Sequence, residues 1–152
     1  MKHSILAFLI IFIFVLTACT AATDIRFDDN DIEISLINQE INENYRKYSI
    51  EVKNSGELEI KYLHFYLYYP IIMPNGSKGN PFKIEGKTDI SHPVILKPGK
   101  SINYTFFVPI KEVFGDSKLL DFNDPQIELN GLVQHGKTDV PFGMGGGYLH
   151  MR

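Results

Sequence analysis

Leu58-Glu59-Ile60-Lys61-Tyr62-Leu63-His64-Phe65-Tyr66-Leu67-Tyr68-Tyr69 is the stretch whose reading decides the fold. At a period of two, Leu63, Phe65, Leu67 and Tyr69 fall on one face, and Tyr62, His64, Tyr66 and Tyr68 on the other. Both faces are apolar or aromatic. That pattern predicts a central strand with core on one side and something else against the other. Pro70 stops it.

The same alternation continues outward in both directions. Upstream, Tyr48, Ile50 and Val52 alternate with Ser49, Glu51 and Lys53, and Ile32, Ile34 and Leu36 alternate with Glu33 and Ser35. Asn54-Ser55-Gly56-Glu57 reads as a turn, because Asn and Gly tolerate positive φ. Downstream, residues 74–81 (PNGSKGNP) read as a loop, and Phe82–Ile84 and Ile90–Leu96 as weaker strands. Lys97-Pro98-Gly99-Lys100 carries Pro and Gly at the middle positions of a type II turn. Ile102, Tyr104, Phe106 and Val108 then point inward. Glu112–Phe122 has room for one helical turn, cut short by Gly115 and Asp116. Gln126–Gln134 is a further strand with Ile127, Leu129 and Val133 on one face. Lys137–Tyr148 closes the sheet, weakened by Gly145-Gly146-Gly147.

About seven or eight strands separated by turn residues predict an all-β antiparallel sandwich over residues 31–152. The stretch from Tyr45 to Ile110 resembles the Ig-like domains, FxLYD-type among them, of small bacterial lipoproteins. The matching residues are Val52-Lys53-Asn54-Ser55-Gly56, the aromatic strand Leu63–Tyr69, the turn Leu96-Lys97-Pro98-Gly99-Lys100 and the strand Tyr104–Val108. The resemblance implies an Ig-like sandwich and says little of function, because such domains host many roles. The Cys and Trp landmarks of antibody-type domains are absent.

The N-terminus has a different pattern. Lys2 precedes an unbroken apolar run from Ile5 to Leu16, shorter than the ~20 residues of a membrane span and matching a signal-peptide core. Leu16-Thr17-Ala18-Cys19 then resembles the bacterial lipobox, and Cys19 is the only cysteine of the 152 residues. The resemblance implies a signal-peptide helix over 1–18, cleavage between Ala18 and Cys19, and a diacylglyceryl group on Cys19. It also implies a place on the extracytoplasmic face of the cell membrane, held by the lipid, since paired acyl chains anchor where one does not. Residues 19–30 then form the lipidated start and a polar tether.

With a single cysteine no intrachain disulfide forms, so packing alone must hold the domain. The net charge of −3, with no basic cluster, argues against nucleic acid as a partner. Asp29, Asp31, Glu33 and Glu40 match some positions of a calcium loop, but Ile34 stands where the loop needs Gly, so the strand reading prevails. Asp116, Asp121 and Asp124 form an acidic loop that reads first as solvated. The five histidines are scattered, and the tail with Met144, His150 and Met151 reads first as filler. No catalytic motif occurs, so no enzyme, catalytic residue, metal or cofactor is expected.

The expected binding surface is therefore Tyr62, His64, Tyr66 and Tyr68. Tyrosines in a row make an amphipathic platform for a protein or a sugar. The competing reading buries this face under Lys111–Phe122 or under the Gly-rich tail. The function expected is a lipid-anchored binding or assembly module for an envelope protein or a wall glycan. A metal- or small-ligand-binding lipoprotein is the alternative, and a hydrolase with a triad assembled in space, for instance from Ser91, His92 or Asp89, is a third.

Overall fold

The computed structural model of the chain describes residues 27–90 and 93–147. The signal segment, Ala18, Cys19, the tether to residue 26, Ser91, His92 and the tail from Tyr148 lie outside the described residues.

After one three-ten turn at Asp29–Asp31, the strands in chain order are β1 (Ile32–Ile41), β2 (Arg46–Asn54), β3 (Ile60–Tyr68), β4 (Ile71–Met73), β5 (Gly76–Lys78), β6 (Ile84–Glu85) and β7 (Ser101–Val108). The short helix α1 (Ile110–Phe114), β8 (Gln126–His135) and β9 (Thr138–Gly147) complete the described chain. One sheet has the order β1-β2-β7 and the other β6-β3-β8-β9, every pairing antiparallel. This is the strand order of an Ig-like sandwich in which the two-residue strand β6 lies beside β3. The chain switches sheets there: Ile84 and Glu85 pair with β3, while Lys87 bridges to Thr105 on β7.

The alternation read in the sequence is the alternation of burial. Leu63, Phe65, Leu67 and Tyr69 have no exposed surface, nor do Tyr48, Val52, Tyr104, Phe106, Val108, Leu129 and Val133. Phe65 sits edge-on to Tyr104 and Phe106 across the sandwich, each with ring centroids 5.2 Å away. Such perpendicular contacts add to area burial because a ring's positive edge meets a negative face.

Asn54 explains why the two turn motifs occur together. It is fully buried at the end of β2. Its side-chain amide donates to Leu58 O (2.8 Å) and Leu96 O (2.9 Å), and its Oδ1 accepts from Gly56 N (3.1 Å). Its backbone N–H donates to Lys100 O and its carbonyl accepts from Gly99 N. One residue thus joins the turn after β2 to the turn before β7. Gly99 holds φ +71, the left-handed value that the third residue of a type II turn requires, and Lys100 N donates back to Lys97 O.

Three local expectations need correction. Residues 74–81 are not a plain loop, because Gly76–Lys78 folds back on Ile71–Met73 as a two-stranded ribbon. The strand expected at Phe82–Ile84 is displaced to Ile84–Glu85, and Asn80 Oδ1 accepts the Phe82 N–H in a turn just before it. Ile90–Leu96 contributes one bridge, Leu96 to Ile60, and no strand among its described residues. The helical turn starts at Ile110 and stops at Gly115, whose φ of +60 and N–H to Lys111 O close it.

Candidate functional site

The outer face of β3 carries the four residues read from the sequence, and the structure brings them together. Tyr62 is 38% exposed, and His64, Tyr66 and Tyr68 are half-buried. None of them belongs to the core or packs against it. Among the described residues, neither segment 111–122 nor the Gly-rich stretch up to Gly147 lies over them. The segment 111–122 sits at the end of the sandwich instead, where Phe114 and Phe122 contact Tyr69 at 5.9 and 5.0 Å. The Gly-rich segment runs in the plane of the sheet as β9, paired with β8.

Neighbouring strands furnish the rest of the platform. Tyr66 lies opposite Glu85 on β6 and Glu128 on β8, while Asn130 lies opposite His64. The Tyr62 hydroxyl is hydrogen-bonded to His64 Nε2, and His64 Nδ1 faces Glu85 Oε1 at 2.5 Å. The His64 and Tyr66 rings stack at 5.7 Å with an 11° interplanar angle, and the Tyr62 ring stands edge-on to His64. Lys83 Nζ pairs with Glu128 Oε2 at 2.5 Å and lies over the Tyr68 ring. Asn130 also donates to Glu128.

The electrostatics follow from those contacts. The Lys83 ammonium, then the Asn130 amide, hold the Glu128 carboxyl below its ordinary value. Partial burial, then the Glu85 carboxylate, raise the Tyr66 phenol. Tyr66 is therefore a neutral hydroxyl at working pH, able to donate and accept.

Tyr62, His64 and Glu85 have the connectivity of a hydroxyl, an imidazole and an orienting carboxylate. Sequence spacing concealed this set, because Glu85 arrives from a two-residue strand that the sequence signalled poorly. The set lies on a sheet face, and a shallow recess of about 270 Å³ lined by Glu85, Gly86, Lys87, Thr88 and Ile90 begins beside Glu85. A second, more apolar recess of about 280 Å³ sits at the sandwich end between Phe82, Phe114, Leu119 and Leu120.

Two of the acidic residues considered for cations are engaged elsewhere. Glu33 pairs with Lys53, and Asp121 caps its own turn by accepting from Asn123 N. Among the described residues no group of three or more His, Cys, Asp or Glu side chains could hold a metal. Met144 is half-buried against the core. No helix among the described residues is long and apolar enough to cross a membrane.

No family model matches this chain, and no curated protein matches it. Similar solved structures include an X-ray structure of the Northeast Structural Genomics Consortium target SoR45, at 15% identity and a TM-score of 0.34, covering 76% of this chain and 81% of that one. Another is the sporulation control protein Spo0M from Bacillus subtilis, at 15% identity and a TM-score of 0.33, covering 77% of this chain and 48% of that one. A third is a protein from Archaeoglobus fulgidus, at 9% identity and a TM-score of 0.28, covering 76% of this chain and 94% of that one. Likeness at this level says nothing about a site or an activity.

Proposed function

We propose that the chain is an exported lipoprotein, anchored through Cys19 on the extracytoplasmic face of the cell membrane. Its sandwich presents the outer face of β3 to an envelope protein or a wall glycan. The observation that carries this reading is the open row Tyr62, His64, Tyr66 and Tyr68, flanked by satisfied polar groups. Tyrosines give large contact area with little rotamer entropy to lose, which is why they dominate protein interfaces. The anchor supplies location, and the face supplies recognition. A binding role is favoured over catalysis because, among the described residues, nothing around Tyr62 and His64 excludes water from a reacting group.

The anchor is tested by growing cells with a labelled fatty acid. Label appears in the wild-type protein and is lost in Cys19→Ala; label in both, or in neither, removes the anchor. The face is tested by crosslinking in intact membranes. Wild type gives a crosslinked partner that Tyr66→Ala/Tyr68→Ala loses, whereas an unchanged crosslink pattern removes the tyrosine face from the reading.

A further inference from the structure

Asn-Gly occurs twice in the chain, as Asn75-Gly76 and Asn130-Gly131, and the fold treats the two pairs oppositely. An asparagine before a glycine carries its own reactive pair. Its side-chain amide carbon is an electrophile, and the next backbone nitrogen is a nucleophile that no Cβ shields. Whether the two meet depends on how freely the backbone between them turns. Asn130 is held. It lies within β8, opposite His64 on β3 and Gly143 on β9, and Gly131 lies opposite Leu63 and Phe142. Its side-chain amide donates to Glu128 Oε1 at 3.0 Å. Turning the backbone there would break the ladders on both sides.

Asn75 lacks such restraint. Pro74 and Asn75 form the two-residue loop between β4 and β5, and both are exposed. Hairpin loops of this length favour turns with positive φ at the first central residue, whose twist matches that of the strands. Pro74 cannot adopt positive φ, and no described residue other than glycine has it. Gly76 takes up the mismatch at φ +131, and a Cβ there would meet nothing within 4 Å. Among the described residues β5 has only β4 beside it, joined by Ile71 to Lys78, Ile72 to Ser77 and Met73 to Gly76. A two-stranded ribbon that short opens readily. No hydrogen bond engages the Asn75 side chain among the described residues.

We propose that Asn75 is a site of spontaneous deamidation. The Gly76 nitrogen gives its proton to water and bonds to Asn75 Cγ. The Cγ–Nδ2 bond breaks, and the proton returns through water to the departing nitrogen, which leaves as ammonia. Water then opens the cyclic imide at either carbonyl, giving aspartate or isoaspartate at position 75. Water is the only co-reactant, and nothing is oxidised or reduced. Either product adds a negative charge. Isoaspartate also adds a methylene to the main chain, which ends the pairing of Met73 with Gly76. The change falls beside the exposed Ile72 and Met73, on the ribbon that adjoins the apolar recess through Ile71. It is independent of the lipid anchor and of the tyrosine face.

The test ages the purified full chain in mildly alkaline buffer, folded or in urea, and follows its proteolytic fragments by mass spectrometry. In the folded chain the fragment holding Asn75 gains the mass of an amide-to-acid exchange more than about a hundredfold faster than the fragment holding Asn130, because a ribbon opens far more often than a central strand. In urea the two fragments convert at rates within about twofold of each other, because the dipeptide is the same and the ladders are gone. Asn75→Gln, which would have to close a larger ring, loses the gain at position 75 and leaves Asn130 unchanged. Equal rates at the two positions in the folded chain overturn the proposal. So does a folded chain in which neither converts while urea releases both, or a gain in the first fragment that survives Asn75→Gln.

Discussion

Asn54 shows how one side chain can hold two distant turns. Its fully buried amide meets Leu58 O and Leu96 O and its carbonyl oxygen meets Gly56 N, the first and last of these partners half-buried and Leu96 O buried. Asn54→Ala leaves those three groups unmet, and each unmet buried partner costs about 1 kcal/mol or more. The expected loss is about 2–4 kcal/mol, read by urea unfolding, against little change for the exposed neighbour Ser55→Ala. A loss for Asn54→Ala no larger than for Ser55→Ala would contradict this role. Glu128 gives a pH-dependent counterpart. Its carboxyl titrates below the ordinary value, so its ion pair stabilises the fold above about pH 4.5 and that contribution disappears as the group protonates. Lys83→Met raises the Glu128 pKa toward normal and removes at most about 0.5 kcal/mol at neutral pH, since the pair is partly solvated, and nothing in strong acid. A carboxyl-carbon titration by NMR reads the shift, and an unmoved Glu128 would contradict the assignment.

At the level of elements, the strands with clean alternation were legible and the ones built by tertiary contact were not. β2, β3, β7 and β8 place inward the residues their sequence alternation assigns, because one buried face fixes register. β6 was misplaced by a residue or two, since Ile84 and Glu85 are held only by pairing with Leu67 and Tyr66. The ribbon of β4 and β5 was missed because Pro, Asn and Gly mark its hairpin and the surrounding loop alike. Tyr62, His64, Tyr66 and Tyr68 could be assigned to one face from spacing alone. Whether that face was covered could not, because cover depends on where segment 111–122 docks. The glycines of β9 looked like weakness in the sequence, yet the strand keeps its register over its whole length. Part of the reason is Gly131 opposite it: a Cβ there would lie 2.4 Å from the Phe142 ring and 2.7 Å from the Tyr62 carbonyl. Phe142 in turn stacks on Phe27 at 4.2 Å. Gly131→Ala therefore displaces Phe142 and costs about 1–3 kcal/mol, with reduced amide protection along β9 in hydrogen exchange. Unchanged protection would mean that Phe142 does not lock the strand.

At the scale of the molecule, the two sheets divide the work. The sheet β1-β2-β7 and the inner face of β3-β8-β9 bury the core, while the outer face of the larger sheet keeps its aromatic row free of it. Strand alternation puts this row opposite the buried Leu63, Phe65 and Leu67, and a binding role for it is the proposal under test. The most direct measurement is hydroxyl-radical footprinting of Tyr62, Tyr66 and Tyr68, in the purified full chain and in intact cell envelopes. The account predicts ready oxidation of the purified chain and strong protection in the envelope, with Phe107 on the opposite sheet, 55% exposed, as the unprotected reference. Equal oxidation of the three tyrosines in both settings would contradict it.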